Sequence, residues 1–139
     1  MAERVLLVDD DGDFRRLCER VLTGAGYAVD GVSNAAAGIA MFGQNAYDIV
    51  ITDIIMPAMD GVELIKALRG VGRAFKAVAM SGGSERLPAS SGLRLSRAIG
   101  VDAVLYKPFR PSELIAALAK LSLAPVVEQR AAERLKAVD

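Results

Sequence analysis

Five short apolar runs, most of them rich in β-branched residues, constrain this chain most strongly. They lie at Val5–Val8, Ala28–Val32, Ile49–Thr52, Ala77–Met80 and Ala103–Tyr106. Most of these runs are continuous rather than alternating, which is typical of strands that are covered on both faces. We therefore expect five buried strands.

Helical patterns lie between these runs. The apolar spacing from Phe14 to Leu22 predicts a helix that stops at Gly24 or Gly26. A second helix is predicted around 64–68, ending near Gly70, and a third at 114–121. Weaker helical patterns lie at 35–42 and 93–99. This alternation of strand and helix predicts an α/β fold with a parallel sheet. Right-handed crossovers favour an open, doubly wound arrangement of the five strands.

Composition narrows the classes of function. The 139 residues suit one domain, and their formal net charge is zero, so no surface that seeks a polyanion is indicated. The chain has no histidine, which excludes His-based zinc sites and Ser-His-Asp triads within it. Its one cysteine, Cys18, fits a reducing compartment. With no pattern typical of a signal peptide and no run of membrane-spanning length, we expect a cytoplasmic protein.

Reactive side chains follow four of the five predicted strands. Asp9, Asp10 and Asp11 follow the first strand, and Asp53 follows the third. Ser81 follows the fourth strand and Lys107 the fifth, whereas the second ends in GVSNA, as expected of an edge strand. Because ligands of such sheets bind at the carboxyl ends of the strands, these side chains predict one shared site.

The residue types at this site favour phosphoryl transfer. Converging carboxylates form a hard oxygen site that suits Mg²⁺, with Mn²⁺ as a second possibility. Lys107 and Ser81 offer a point charge and a hydrogen bond to phosphate oxygens. Since Asp53 stands alone on its strand end, it is the better covalent acceptor, and the paired acids fit the metal.

The motifs DDD, TDIIMPAMDG, MSGG and KPF, at these spacings, resemble the receiver domain of bacterial two-component response regulators. The resemblance covers about residues 3–122 and leaves 123–139 as a tail with a weakly amphipathic pattern. It implies a flavodoxin-like (βα)5 fold with strand order 2-1-3-4-5. It also implies a stand-alone, chemotaxis-receiver-like protein rather than a classical enzyme.

The resemblance also implies a role for each matching residue. Asp53 would accept the phosphoryl group, Asp10, Asp53 and the backbone carbonyl of Ile55 would bind Mg²⁺ directly, and Asp9 would act largely through water. Ser81 and Lys107 would contact the phosphate, and Pro108 would follow Lys107 through a cis peptide bond.

Two departures from the family pattern concern the switch. The aromatic position three residues before the lysine is occupied by Val104, while Tyr106 stands directly before Lys107. We expect Tyr106 to face differently from Val104, and either residue to belong to a partner surface. The stretch around 84–92 is longer than usual, as a tolerated insertion or a partner-specific loop.

The implied function is a phosphorylation-dependent signalling switch. A sensor histidine kinase or histidine phosphotransfer protein would phosphorylate Asp53 and change the affinity of the surface around the fourth helix, fifth strand and fifth helix for an unknown downstream protein. A homodimer is possible, and no nucleic acid or membrane partner is expected. The alternatives are a haloacid-dehalogenase-like phosphatase that uses Asp9 and Asp11, and a receiver-like scaffold that is never phosphorylated.

Overall fold

The computed structural model describes residues 2–82 and 100–121, and every structural statement below concerns these residues. The strands are β1 (Arg4–Val8), β2 (Ala28–Val32), β3 (Ile49–Asp53), β4 (Lys76–Ser81) and β5 (Ala103–Tyr106). The helices are α1 (Gly12–Gly24), α2 (Ala35–Gln44), α3 (Gly61–Arg69) and a helix over residues 111–121, called here the 111–121 helix.

The strands form one parallel sheet in the order β2-β1-β3-β4-β5. The prediction of an open, doubly wound α/β sheet is therefore confirmed, and β2, the strand with the bland ending, lies at an edge. In the register, Val8 pairs with Thr52, Asp53 with Met80, and Ser81 with Tyr106. The carboxyl ends of β1, β3, β4 and β5 consequently meet at one edge of the sheet.

Two apolar layers cover the sheet. On one face, Leu6, Val50 and Ala79 pack with residues of α2 and α3. On the other face, alternate residues such as Leu7 and Ile51 pack with α1 and the 111–121 helix. Burial on both faces explains why the strand sequences are continuously apolar.

Side-chain caps fix where three helices begin. The Asp11 carboxylate accepts hydrogen bonds from the backbone N–H groups of Asp13 and Phe14 at the start of α1. Asn34 caps α2, and Asp60 forms a capping box with Glu63 at the start of α3. Asp11, the third acid after β1, therefore serves as the N-cap of α1.

Two arginines form hydrogen bonds between segments at the opposite edge of the sheet, where the strands begin. Arg69, at the end of α3, donates to the carbonyl oxygens of Phe75 at 2.9 Å and Gly100 at 2.8 Å. Arg73 donates to the carbonyl oxygens of Phe42 and Asn45, at the end of α2. Each guanidinium therefore joins segments that are distant in sequence.

Several sequence predictions concern parts of the chain outside the described residues. These are the weak helix at 93–99, the longer stretch around 84–92 and the tail at 123–139. Within residues 2–82 and 100–121, no helix combines the length and the hydropathy needed to cross a membrane.

Candidate functional site

The carboxyl edge of the sheet brings together the side chains that the sequence singled out. Asp9 follows β1, Asp53 and Ser81 are the last residues of β3 and β4, and Lys107 follows β5. The backbone N–H of Lys107 donates to the carbonyl oxygen of Ser81 at 2.9 Å, which continues the strand pairing to the site itself. The sheet register thus positions the candidate residues.

Three carboxylates form an acidic cluster at this edge. Asp9, Asp10 and Asp53 each place one carboxylate oxygen within 4.8 Å of the other two. Asp9 and Asp53 are buried, whereas Asp10 is exposed. An all-oxygen set with one side open to solvent has the donor chemistry of a Mg²⁺ site.

Lys107 supplies the positive charge. Its Nζ donates to Asp9 Oδ2 at 2.9 Å and to Asp53 Oδ2 at 3.0 Å. The Lys107–Pro108 peptide bond is cis, as the resemblance implied. The ammonium thus bridges two buried carboxylates from different strand ends.

The surroundings of Lys107 favour its charged form, whereas those of Asp53 disfavour its ionised form. Burial raises the pKa of the Asp53 carboxyl, and the charges of Asp9 and Asp10 add to this effect, while Lys107 opposes it. Burial alone would lower the pKa of Lys107, but its hydrogen bonds to Asp9 and Asp53 and their charges raise it. An additional cation beside Asp53 would stabilise the ionised form of its carboxylate.

The two oxygens of Asp9 are both engaged. Oδ1 accepts the backbone N–H of Asp11 at 2.9 Å, and Oδ2 accepts Lys107. Its backbone carbonyl accepts Arg15 Nη1 at 2.8 Å. Asp9 is therefore fixed from several sides, which suits an acid that acts beside a metal rather than as its main ligand.

Two other polar atoms are left without a partner. Asp53 Oδ1 and Ser81 Oγ are buried and make no hydrogen bond to any described residue. Buried polar atoms are normally paired, so such exceptions call for an explanation. A phosphoryl group or metal ion bound at this edge would supply the missing interactions.

Gly61 holds the backbone around Asp53, a role that its place at the end of the motif TDIIMPAMDG does not reveal. It is the first residue of α3, and a Cβ added there would lie 2.2 Å from the Asp53 carbonyl oxygen. Its N–H donates to the Ile54 carbonyl at 2.8 Å. Only glycine allows α3 to begin this close to the end of β3.

The two β5 candidates differ from expectation. Val104 packs against the layer of α2 and α3, and Leu105 belongs to the opposite layer. Because side chains alternate along a strand, Tyr106 returns to the face of Val104. The expectation of different faces was wrong, since two residues make one full strand period. Tyr106 is 40% exposed at the end of β5.

Phe14 is a second site residue that the sequence analysis assigned only to a helix face. The Lys107 Nζ lies 4.4 Å from the centroid of its ring, and the Phe109 ring meets the Phe14 ring edge-on at 5.4 Å between centroids. Its apolar spacing in α1 indicated packing alone. No local signal marks a contact between residues 93 positions apart.

Comparison with known proteins identifies the family. The family model described as the response regulator receiver domain matches residues 5–119. The chain is 31% identical over 123 residues to the chemotaxis protein CheY of Thermotoga maritima, covering 88% of this chain and 99% of that protein. It is 32% identical over 124 residues to the response regulator receiver protein CpdR of Brucella abortus, covering 88% and 98%.

Solved structures agree with these relatives. The chemotaxis protein CheY4 of Vibrio cholerae superposes with a TM-score of 0.79 at 26% identity, covering 86% of this chain and 98% of that one. The haloacid-dehalogenase-like alternative is not supported, and Asp11, one of its two acids, caps α1. Sequence, fold and site geometry agree that the chain belongs to the response regulator receiver domain family.

Proposed function

We propose that Asp53 is the phosphoacceptor of a cytoplasmic, two-component signalling switch. The observation that carries the proposal is the state of its carboxylate: it is buried, accepts Lys107 at Oδ2, and has no partner for Oδ1 among residues 2–82 and 100–121. The other acids of the cluster have different surroundings, because Asp9 has both oxygens engaged and Asp10 is exposed. Asp53 is thus the acid with an oxygen left for chemistry.

The proposed step is an in-line transfer from a phosphohistidine of the donor protein. An Asp53 carboxylate oxygen forms the new P–O bond as the P–N bond breaks, and the electron pair of that bond stays on the histidine nitrogen. Lys107 neutralises charge on the phosphoryl oxygens, and the Ser81 hydroxyl donates a hydrogen bond to one of them. The product is an acyl phosphate on Asp53.

We propose Mg²⁺ as the cofactor, with Mn²⁺ able to replace it. Asp10, Asp53 and the backbone carbonyl of Ile55 would hold the ion, and Asp9 would act through water. When bound, the ion supplies charge neutralisation and holds phosphate oxygens in place. The close approach of Asp9, Asp10 and Asp53 supports this assignment. We expect Asp10→Asn to weaken Mg²⁺ binding, as measured by isothermal titration calorimetry.

The direct test is labelling by a small phosphodonor. With acetyl phosphate and Mg²⁺, we expect the intact mass of the chain to increase by one phosphoryl group, and Asp53→Asn to abolish this change. Asp13→Asn is the matched control, because Asp13 is an exposed acid at the start of α1. Undiminished labelling of the Asp53→Asn variant would refute the assignment, and no labelling of the wild type would favour a scaffold.

We propose that phosphorylation shifts an existing conformational equilibrium and so changes partner affinity. The donors would be a sensor histidine kinase or a histidine phosphotransfer protein, and the output a downstream protein or a homodimer. The surface would include the helix predicted at 93–99, β5 and the 111–121 helix of a receiver spanning 3–122, with 123–139 as a tail. The exposure of Tyr106 beside the site supports this surface.

The partner proposal is tested with a phosphate mimic. We expect beryllofluoride with Mg²⁺ to change either the oligomeric state in light scattering or the binding of a candidate partner. Tyr106→Ala should weaken that response while leaving labelling of Asp53 intact. An identical response in wild type and Tyr106→Ala would remove Tyr106 from the partner surface.

A further inference from the structure

The aromatic ring of Phe14 lies against the ammonium of Lys107. The distance from Nζ to the ring centroid is 4.4 Å, within the range of about 6 Å in which a cation is attracted to an aromatic face. The same ammonium donates to Asp9 at 2.9 Å and Asp53 at 3.0 Å. Lys107 is therefore held by two carboxylates and one ring.

The fold fixes the ring in this place. Phe14 lies in the first turn of α1, and its backbone N–H donates to the capping carboxylate of Asp11 at 3.1 Å. The Phe109 ring packs edge-on against it, with an angle of 80° between the ring planes. The helix cap and the aromatic pair thus set the position of the Phe14 ring before any ligand arrives.

A held lysine matters at a phosphoacceptor site. A lysine side chain has several rotatable bonds, and confining it costs conformational entropy when nothing else restrains it. The Lys107 side chain is 18% exposed, so solvent screens the contact with Phe14 only weakly. The ring is a neutral contact, so it can restrain the ammonium without competing for the metal or the phosphoryl group.

We propose that Phe14 is a positioning residue of the phosphoacceptor site: its ring face holds the Lys107 ammonium beside Asp53, where the phosphoryl group arrives. This inference rests on the proposed function of Asp53. It assigns to α1 a role in the chemistry in addition to its packing role. The Phe14 side chain itself takes no part in bond making.

The geometry is tested without phosphorylation. Protons above an aromatic face are shielded, so the Lys107 Hε resonances should lie upfield of those of Lys120, an exposed lysine in the 111–121 helix. Phe14→Leu should remove this shift, whereas Phe75→Leu, in the core layer on the opposite face of the sheet, should preserve it. Lys107 resonances that match those of Lys120 in the wild type would overturn the proposal, whatever the fate of the phosphoacceptor assignment.

The role is tested by changing the ring electronics at constant shape. Fluorinated phenylalanines at position 14 weaken the negative ring face with little change of size, and the rate constant for labelling by acetyl phosphate should fall progressively, by about three- to tenfold at full fluorination. Phe14→Tyr should retain the wild-type rate. The same series at position 75, in the core layer on the opposite face of the sheet, is the control and should leave the rate nearly unchanged.

The outcomes separate positioning from packing. A slow Phe14→Leu variant combined with a flat fluorination series would mean that Phe14 only packs, and would overturn the proposal. If wild-type Asp53 is not labelled at all, the proposed function fails, while the resonance test still decides whether the ring holds Lys107.

Discussion

Replacement of Lys107 by methionine tests the electrostatic balance of the site. The substitution retains an unbranched side chain of similar length but removes the ammonium that bridges Asp9 and Asp53 at 2.9 and 3.0 Å. Both carboxylates are buried, and one oxygen of each lies within 4.8 Å of an oxygen of Asp10. Without Lys107, these three acids share the edge with no ammonium bound to them among the described residues.

The expected loss of stability has two causes. The carboxylates of Asp9, Asp10 and Asp53 repel one another, and the buried charges of Asp9 and Asp53 lose their cationic partner. Two unit charges 4.8 Å apart repel by about 3.5 kcal/mol at an effective dielectric constant of about 20. Removing one partner of a buried ion pair typically destabilises by about 3–5 kcal/mol. We expect the free energy of unfolding of Lys107→Met to lie about 3 kcal/mol below that of the wild type at pH 8.

The pH dependence has a definite sign. The pKa of Asp53 is already raised by burial, and loss of Lys107 raises it further. When the pKa of a carboxyl is higher in the folded than in the unfolded chain, its contribution to the free energy of unfolding is fully present below the pKa of the unfolded chain. That contribution is lost as the pH rises through the pKa of the folded chain. The deficit of Lys107→Met should therefore be smaller near pH 5 than at pH 8.

Urea unfolding in the presence of a chelator measures these differences. Lys120→Met, at an exposed position, is the matched control and should change stability little. Addition of Mg²⁺ should restore more stability to Lys107→Met than to the wild type, since the ion replaces the lost charge. A deficit under about 1 kcal/mol, or one equal to that of Lys120→Met, would refute the electrostatic account.

Three further substitutions and one reagent test packing and hydrogen bonding within the described fold. Gly61→Ala should lower the free energy of unfolding by about 2–3 kcal/mol and slow labelling by acetyl phosphate, because its Cβ would lie 2.2 Å from a backbone oxygen. Gly43→Ala, which meets nothing within 4 Å in α2, should instead stabilise the protein by about 0.5–1 kcal/mol in the same urea titration. Burial raises the pKa of the Cys18 thiol to about 11 from 9.0. Because the thiolate is the reactive form, a disulfide reagent at pH 8 should label the native chain about 100-fold more slowly than the unfolded chain. Equal labelling rates would contradict the burial of Cys18. Tyr47→Phe removes a hydroxyl that donates to Asp30 at 2.6 Å, and thermal unfolding should show a loss of about 1–2 kcal/mol, against no change if that bond contributes nothing.

The strands and most helices could be predicted because their signals are local. Runs such as Ile49–Thr52 are apolar on both faces, and the apolar spacing from Phe14 to Leu22 repeats with the helical period. The structure adds at most one residue at each strand end, for example Asp53 to β3 and Ser81 to β4, and three residues at the start of α3 and of the 111–121 helix. These polar ends join the strands through pairing across the sheet, which a single run does not reveal.

The gathering of the site could also be predicted, because a parallel sheet places all its carboxyl ends at one edge. Lys107 does meet Asp9 and Asp53, as the strand endings indicated. The contacts of Gly61 and Phe14 could not be predicted, since they depend on how closely α3 and α1 approach the sheet. The facing of Tyr106 was predictable from the strand period and was nevertheless misjudged.

The two edges of the sheet differ in how fully their polar groups are hydrogen-bonded. Arg69 and Arg73 cross-link α3, α2 and the starts of β4 and β5 through backbone carbonyls, so the polar groups there are engaged with one another. At the carboxyl edge, Asp53 Oδ1 and Ser81 Oγ have no partner among the described residues. One end of the sheet is thus cross-linked by guanidinium groups, whereas the other end holds the two buried oxygens whose hydrogen bonding the proposed phosphoryl group on Asp53 would complete.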